Sequence, residues 1–173
     1  MTFKNIDEIK EAGFTGFKAM RELFIDKSSI PDIKGVYLVL YPTNKPPDFL
    51  PAGSGPTLYK KKKNPNVSIA ELKSNWVEAT IVLYIGKGGG KNQKGLEGNE
   101  TLRSRLSTYF SFGQGKDVTH YGGRLIWQLT NSRELVVCWK PTPREEPREI
   151  EDNLIQEFKS TYEGQRPFAN LTD

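Results

Sequence analysis

Two short apolar runs constrain the fold of this chain more than any other feature. GVYLVLY at residues 35–41 lies between Pro31 and Pro42, and ATIVLYIG at residues 79–86 ends on a glycine. Both are rich in β-branched and aromatic residues, so each predicts a strand. Along the second, a period of two places Val82, Tyr84 and Gly86 on one face and Ile81, Leu83 and Ile85 on the other. Helical patterns surround the strands. Asn5 or Asp7 can cap a helix running to Phe24, broken in two at Gly13 and Gly16. SIAE at 68–71 has the form of a capping box, and Asn99 or Thr101 can open a helix through ETLRSRLSTYF. Pro147 begins an amphipathic segment that ends before Gly164. RLIWQL and ELVVCW, separated by residues 130–133, predict a hairpin. Strands interleaved with few helices, without βαβ spacing, predict a small α+β domain over residues 1–173 with a central, mainly antiparallel sheet flanked by helices. Residues 1–33 are then a helical N-terminal extension. Residues 42–66 hold six prolines and read either as an ordered excursion or as a mobile flap.

Composition narrows the chemistry. A chain of 173 residues, 36 % hydrophobic and 27 % charged, can bury one core and argues against disorder and membrane spans. It holds one histidine, His120, and one cysteine, Cys138. Zinc sites built on paired Cys and His, HExxH peptidases and an intrachain disulfide are therefore excluded by counting. A serine or cysteine triad would need His120, and no GxSxG elbow is present. Asp7, Glu8, Lys10 and Glu11 interrupt any leader-like run in residues 1–30, so a reducing, cytoplasmic location is expected.

Charge is unevenly spread. Residues 60–95 carry eight basic and two acidic side chains, whereas residues 144–173 carry four and eight. A cationic centre beside a carboxylate-rich tail suits a polyanion-binding surface next to a cation site. The run GKGGGK at 86–91 invites a phosphate-loop reading, but Lys91 is followed by Asn92 and Ile85 stands where the first glycine belongs. The dinucleotide fingerprint GxGxxG fails too, because the sixth residue is Lys91 counted from Gly86 and Gln93 counted from Gly88.

What survives is an ordered set. Gly35-Val36-Tyr37 and Tyr84-Ile85-Gly86 sit in the two strands, and Lys87 follows at once. LRSRLSTYF carries Arg105 and Tyr109, EIEDNLIQEF carries Glu151, and PFAN ends on Asn170. In these elements and their order the chain resembles the GIY-YIG nuclease superfamily over most of residues 34–173. Two departures stand out. The tripeptide tyrosines are 47 residues apart, which makes residues 42–80 an insertion. Tyr109 stands where many homing and restriction members have His, and in this the chain looks more like the nuclease domain of the bacterial excision-repair incision subunit. GFTGFKAMRELF and HYGGRLIWQL resemble an uncharacterised branch of the superfamily.

The resemblance implies a Mg²⁺-dependent endonuclease acting on DNA, with Mn²⁺ able to substitute. Tyr37, Tyr84, Lys87, Arg105, Tyr109, Glu151 and Asn170 are its implied catalytic set, with Arg105 clamping the scissile phosphate, Glu151 holding the metal and Asn170 supporting backbone. Lys91, Lys94, Arg103, Lys116, His120 and Arg124 are the expected DNA contacts. The residue types fit that chemistry. Phosphodiester hydrolysis needs an activated water, a cation on the phosphate oxygens and stabilisation of the leaving oxygen. One carboxylate can hold Mg²⁺, which keeps water and takes phosphate oxygens. A tyrosine base, whether Tyr37 or Tyr84, needs a neighbouring cation to lower a pKa near 10. The alternative is a catalytically inactive nucleic-acid-binding module of the same fold. Selectivity would come from the insertion or the 111–124 loop, and shortening residues 43–66 would alter substrate choice more than stability.

Overall fold

The computed structural model describes residues 1–60, 63–91, 95–118 and 120–171. Its centre is an antiparallel four-stranded sheet of order β1-β4-β2-β3, with β1 at Thr15–Ala19, β2 at Gly35–Leu40, β3 at Val82–Gly88 and β4 at Val136–Pro141. Helices flank it: α1 (Ile6–Glu11), α2 (Met20–Ile25), α3 (Ile69–Asn75), α4 (Leu102–Gly113) and α5 (Pro147–Thr161). The α+β architecture is thus the one expected. Among the described residues no helix is long and apolar enough to cross a membrane.

β2 is the central strand and is buried along its whole length. Its alternation sorts the core into two layers. Val36, Leu38 and Leu40 pack with Ile9, Cys138, Ile155 and Phe158 on the side of α1 and α5. Tyr37 and Val39 pack with Leu106, Tyr109, Trp127 and Trp139 on the side of α4. Helix starts follow local chemistry. Ser68 caps α3 by accepting from the Glu71 N–H, and Thr101 and Ser104 cap α4 reciprocally.

Three local expectations are corrected. RLIWQL is not a strand: Arg124–Gln128 form a 3₁₀ helix entered from Gly123, whose φ of +73° suits glycine. A second short 3₁₀ turn, Ser132–Glu134, follows. Leu125 to Gln128 are all buried, and a run buried on every side carries no period to separate strand from helix. No hairpin forms there. The N-terminal extension is not wholly helical, because β1 lies between its two short helices and pairs with β4 at the sheet edge. Gly16 permits this: a Cβ there would lie 2.5 Å from the Trp139 ring. Lastly, β3 bulges. Val39 pairs with Tyr84 but Leu40 with Val82, so Leu83 is the extra residue, and Leu83 and Tyr84 both join the α4 layer while Val82 and Ile85 join the other.

The proline-rich segment is an ordered excursion. Phe49 enters the core, and the buried Gln128 amide clamps both ends of the segment. Its Nε2 donates to Leu50 O (3.1 Å) and Val67 O (2.9 Å), and its Oε1 accepts from Val67 N–H (2.9 Å). Shortening residues 43–66 would strand the Gln128 amide N–H that bonds Leu50 O, so a loss of stability is expected beside any change in substrate choice. Gln128→Leu should destabilise the fold by roughly 2–4 kcal/mol, since buried groups left unpaired cost about 1–3 kcal/mol each. Thermal or urea unfolding measures this, and an unchanged midpoint would refute the clamp.

Candidate active-site cleft

Pairing of β2 with β3 sets Tyr37 opposite Gly86. A Cβ on Gly86 would lie 2.6 Å from Tyr37 Cζ and Oη, so the glycine of the second tripeptide provides the seat for the tyrosine of the first. Tyr37 is fully buried, with ring centroids 6.0 Å from Tyr84 and 6.5 Å from Tyr109. Its hydroxyl lies near Tyr84 and Arg105 but makes no hydrogen bond of good geometry among the described residues. Burial raises its pKa well above the phenolic value.

A cleft of about 460 Å³ opens beside this layer. Tyr84 and Lys87 from β3 form its base, Arg148, Glu151 and Asp152 from α5 one wall, and Tyr121, Gly122 and Arg124 another. The Tyr84 phenol is pushed up to about 12 by burial and by Glu151, while Arg105 draws it back. Arg105 pairs with Glu100 at 3.6 Å and stands behind the tyrosines rather than lining the cleft. Lys87 Nζ donates to Gly89 O at 3.3 Å.

Glu151 makes no hydrogen bond or ion pair to a described residue. Burial pushes its carboxyl up to about 7, with Asp152 adding to the rise and Lys87, Arg105 and Arg148 opposing it. A carboxylate penalised in this way fits a divalent cation. No cluster of three acidic, His or Cys side chains occurs among the described residues, so water and phosphate oxygens would have to complete the coordination.

Asn170 holds the backbone beneath the site. Its Oδ1 accepts from Ile85 N–H (2.9 Å) and its Nδ2 donates to Ile85 O (2.8 Å), which occupies the outer edge of β3. Both ends of the amide bond Ile85, so Asn170 positions the strand, and with Ala169 and Leu171 it also lines the cleft.

Several expected contacts fall elsewhere. Tyr109 is fully buried and donates to Gly123 O at 2.9 Å, so it braces the 121–124 loop from below. His120 is buried against the Tyr109 ring, 4.4 Å between centroids. Burial and Arg105 lower its pKa to about 2, so it remains neutral and does not reach a phosphate. Arg103 is engaged by Ile30 O, Ser28 O and Asp32, tying α4 to the turn before β2. Lys91 and Lys116 are exposed outside the cleft, and Lys94 lies outside the described residues. Arg124 does line it. The Glu146 carboxylate accepts from the Lys91 N–H at 3.1 Å and so joins the loop after β3 to the start of α5. Tyr121, Arg148 and Asp152 are the cleft residues with polar side chains that the sequence reading missed. Arg148, one turn before Glu151 on the same helix, had a signal in the i, i+3 spacing; Tyr121 had none.

Compared with protein families, curated proteins and solved structures, this chain matches none.

The Glu151 shift has a definite sign. A carboxyl raised from 4.5 to about 7 stays protonated in the fold while the unfolded chain ionises, so stability falls as pH rises between those values. Glu151→Gln should remove that loss. The variant's melting temperature, relative to the parent, should rise from about pH 5 to about pH 8; a pH-independent difference would refute the shift.

Proposed function

We propose that the cleft is the active site of a Mg²⁺-dependent endonuclease that hydrolyses DNA phosphodiester bonds, in a protein of GIY-YIG type. The observation that carries this reading is the Glu151 carboxylate, which has no hydrogen bond or ion pair to a described residue and shares one recess with Tyr84 and Lys87. Glu151 would hold Mg²⁺ or Mn²⁺, and the bound ion would supply Lewis-acid stabilisation of the phosphate oxygens. Tyr84, not Tyr37, is then the proton acceptor for the attacking water, because Tyr37 is sealed from the cleft while Tyr84 borders it. Arg105 favours the Tyr84 phenolate from behind, and neutralisation of Glu151 removes the main charge opposing it. Lys87 stands where it can donate to a phosphate oxygen. The acidic wall and cationic loops suit a polyanion held beside a cation. The buried Cys138, whose thiol is pushed up by burial, suits a reducing compartment such as the cytoplasm.

A binding module of this fold that does not cut is the second reading, favoured by the Tyr84 phenol near 12. Nicking of supercoiled plasmid separates the two. Glu151→Ala should abolish Mg²⁺-dependent nicking without unfolding the protein, and undiminished cleavage would end the nuclease assignment. Tyr84→Phe should lower the rate by about 10²–10⁴-fold, the usual scale of a lost general base. Tyr37→Phe should leave a larger residual rate; the reverse order would move the base to Tyr37.

A further inference from the structure

The wall facing Glu151 and Lys87 contains an arginine held on two sides. The Arg124 guanidinium carbon lies 4.0 Å over the Tyr121 ring, and its Nε donates to Pro65 O at 3.1 Å. Tyr121 is backed by Tyr59, with ring centroids 4.7 Å apart. Tyr59 is pinned by reciprocal backbone bonds with Lys63, at 2.7 and 3.1 Å, and the next residue is tied down where Lys60 N–H donates to Asp117 Oδ1 at 2.8 Å. Among the described residues, no hydrogen bond or ion pair takes the two terminal Nη amines of Arg124.

This arrangement is unusual for a structural arginine. Holding a long, rotamer-rich side chain in one geometry costs conformational entropy, and a partly buried guanidinium normally pairs with a carboxylate, whereas Glu71 acts on Arg124 through its charge without forming an ion pair. Here Tyr121 and Pro65 orient the fork, and its two donors are left at a cleft that also carries Lys87 and Arg148. Paired N–H donors in a fixed plane match two oxygens of one phosphate.

We propose that Arg124 clamps a non-scissile phosphate of the nucleic-acid strand in the cleft, and that Tyr121, Tyr59 and Pro65 are its positioning residues. The inserted segment then contributes to binding by fixing this arginine, not by reading bases. The proposal rests on the reading above that a nucleic acid occupies the cleft, but it does not require that the protein cut it.

Binding is measured by fluorescence anisotropy with labelled single-stranded and duplex oligonucleotides in EDTA, over a range of salt concentrations. Arg124→Ala should weaken binding about tenfold for every sequence tested, as expected for one charge-assisted contact. The slope of log K against log salt should become shallower by about 0.7 for single strands and about 0.9 for duplex. Arg124→Lys should restore the slope but not the full affinity, and it also serves if the alanine variant fails to fold. Tyr121→Leu should weaken binding while Tyr121→Phe does not, which a purely structural role for the ring would not produce in the salt slope. An unchanged slope for Arg124→Ala, unchanged binding for Tyr121→Leu, or a parent protein that binds no oligonucleotide would overturn the proposal. A parent that binds normally but shows no Mg²⁺-dependent cleavage would overturn the nuclease reading alone.

Discussion

The pairing of Tyr37 with Gly86 across β2 and β3 is the contact on which the rest of the arrangement depends. Only a residue without a Cβ leaves room for the Tyr37 ring at that register, and a slip by one residue would turn every side chain of the strand to the opposite face. With the register set, the bulge at Leu83 turns Tyr84 into the same layer as Tyr37, and Arg105 reaches both tyrosines from α4. Asn170 then saturates the outer edge of β3 at Ile85. That contact brings the C-terminal segment beside α5, and the cleft lies between them.

A second constraint acts from the other side. Gln128 ties Leu50 and Val67 together, so the long excursion between the tripeptides is part of the core's lid and not an appendage. Because Arg124 and Gln128 sit on the same short 3₁₀ helix, one element places both the residue that secures the insertion and the residue that lines the cleft. The tyrosine layer beneath, through Tyr109 and Gly123, couples that turn to the sheet.

Much of the fold was legible because its signals are local. The β-branched and aromatic run GVYLVLY between two prolines, the Thr101 cap and Pro147 at a helix start each depend on neighbours in the chain, and each appears where it was expected. Failures came where non-local packing overrode the local pattern. Phe14 and Phe17 have helical spacing, yet the edge of β4 was free to accept β1. RLIWQL has no polar residue between Arg124 and Gln128, so only the burial of Leu125 to Gln128 decided for a 3₁₀ turn. In the cleft, Tyr84, Lys87 and Glu151 were legible as residue types in order, whereas Tyr121, a ring on an irregular loop, was not.

By itself the sequence determined which chemistry was available: with one histidine and one cysteine, any site here must use tyrosine, carboxylate, lysine and arginine. It also determined the strands at β2 and β3, whose β-branched and aromatic runs are read without a distant partner. Tertiary structure alone decided access. Tyr37 and Tyr84 are equivalent as sequence, but the sheet seals the first and leaves the second at the cleft. His120 and Arg103 are cations or near-cations in a basic chain, yet burial keeps one neutral and carbonyl oxygens engage the other. Solvation and the direction of a side chain depend on what the rest of the chain packs around it, and neither is written in the residue or its neighbours.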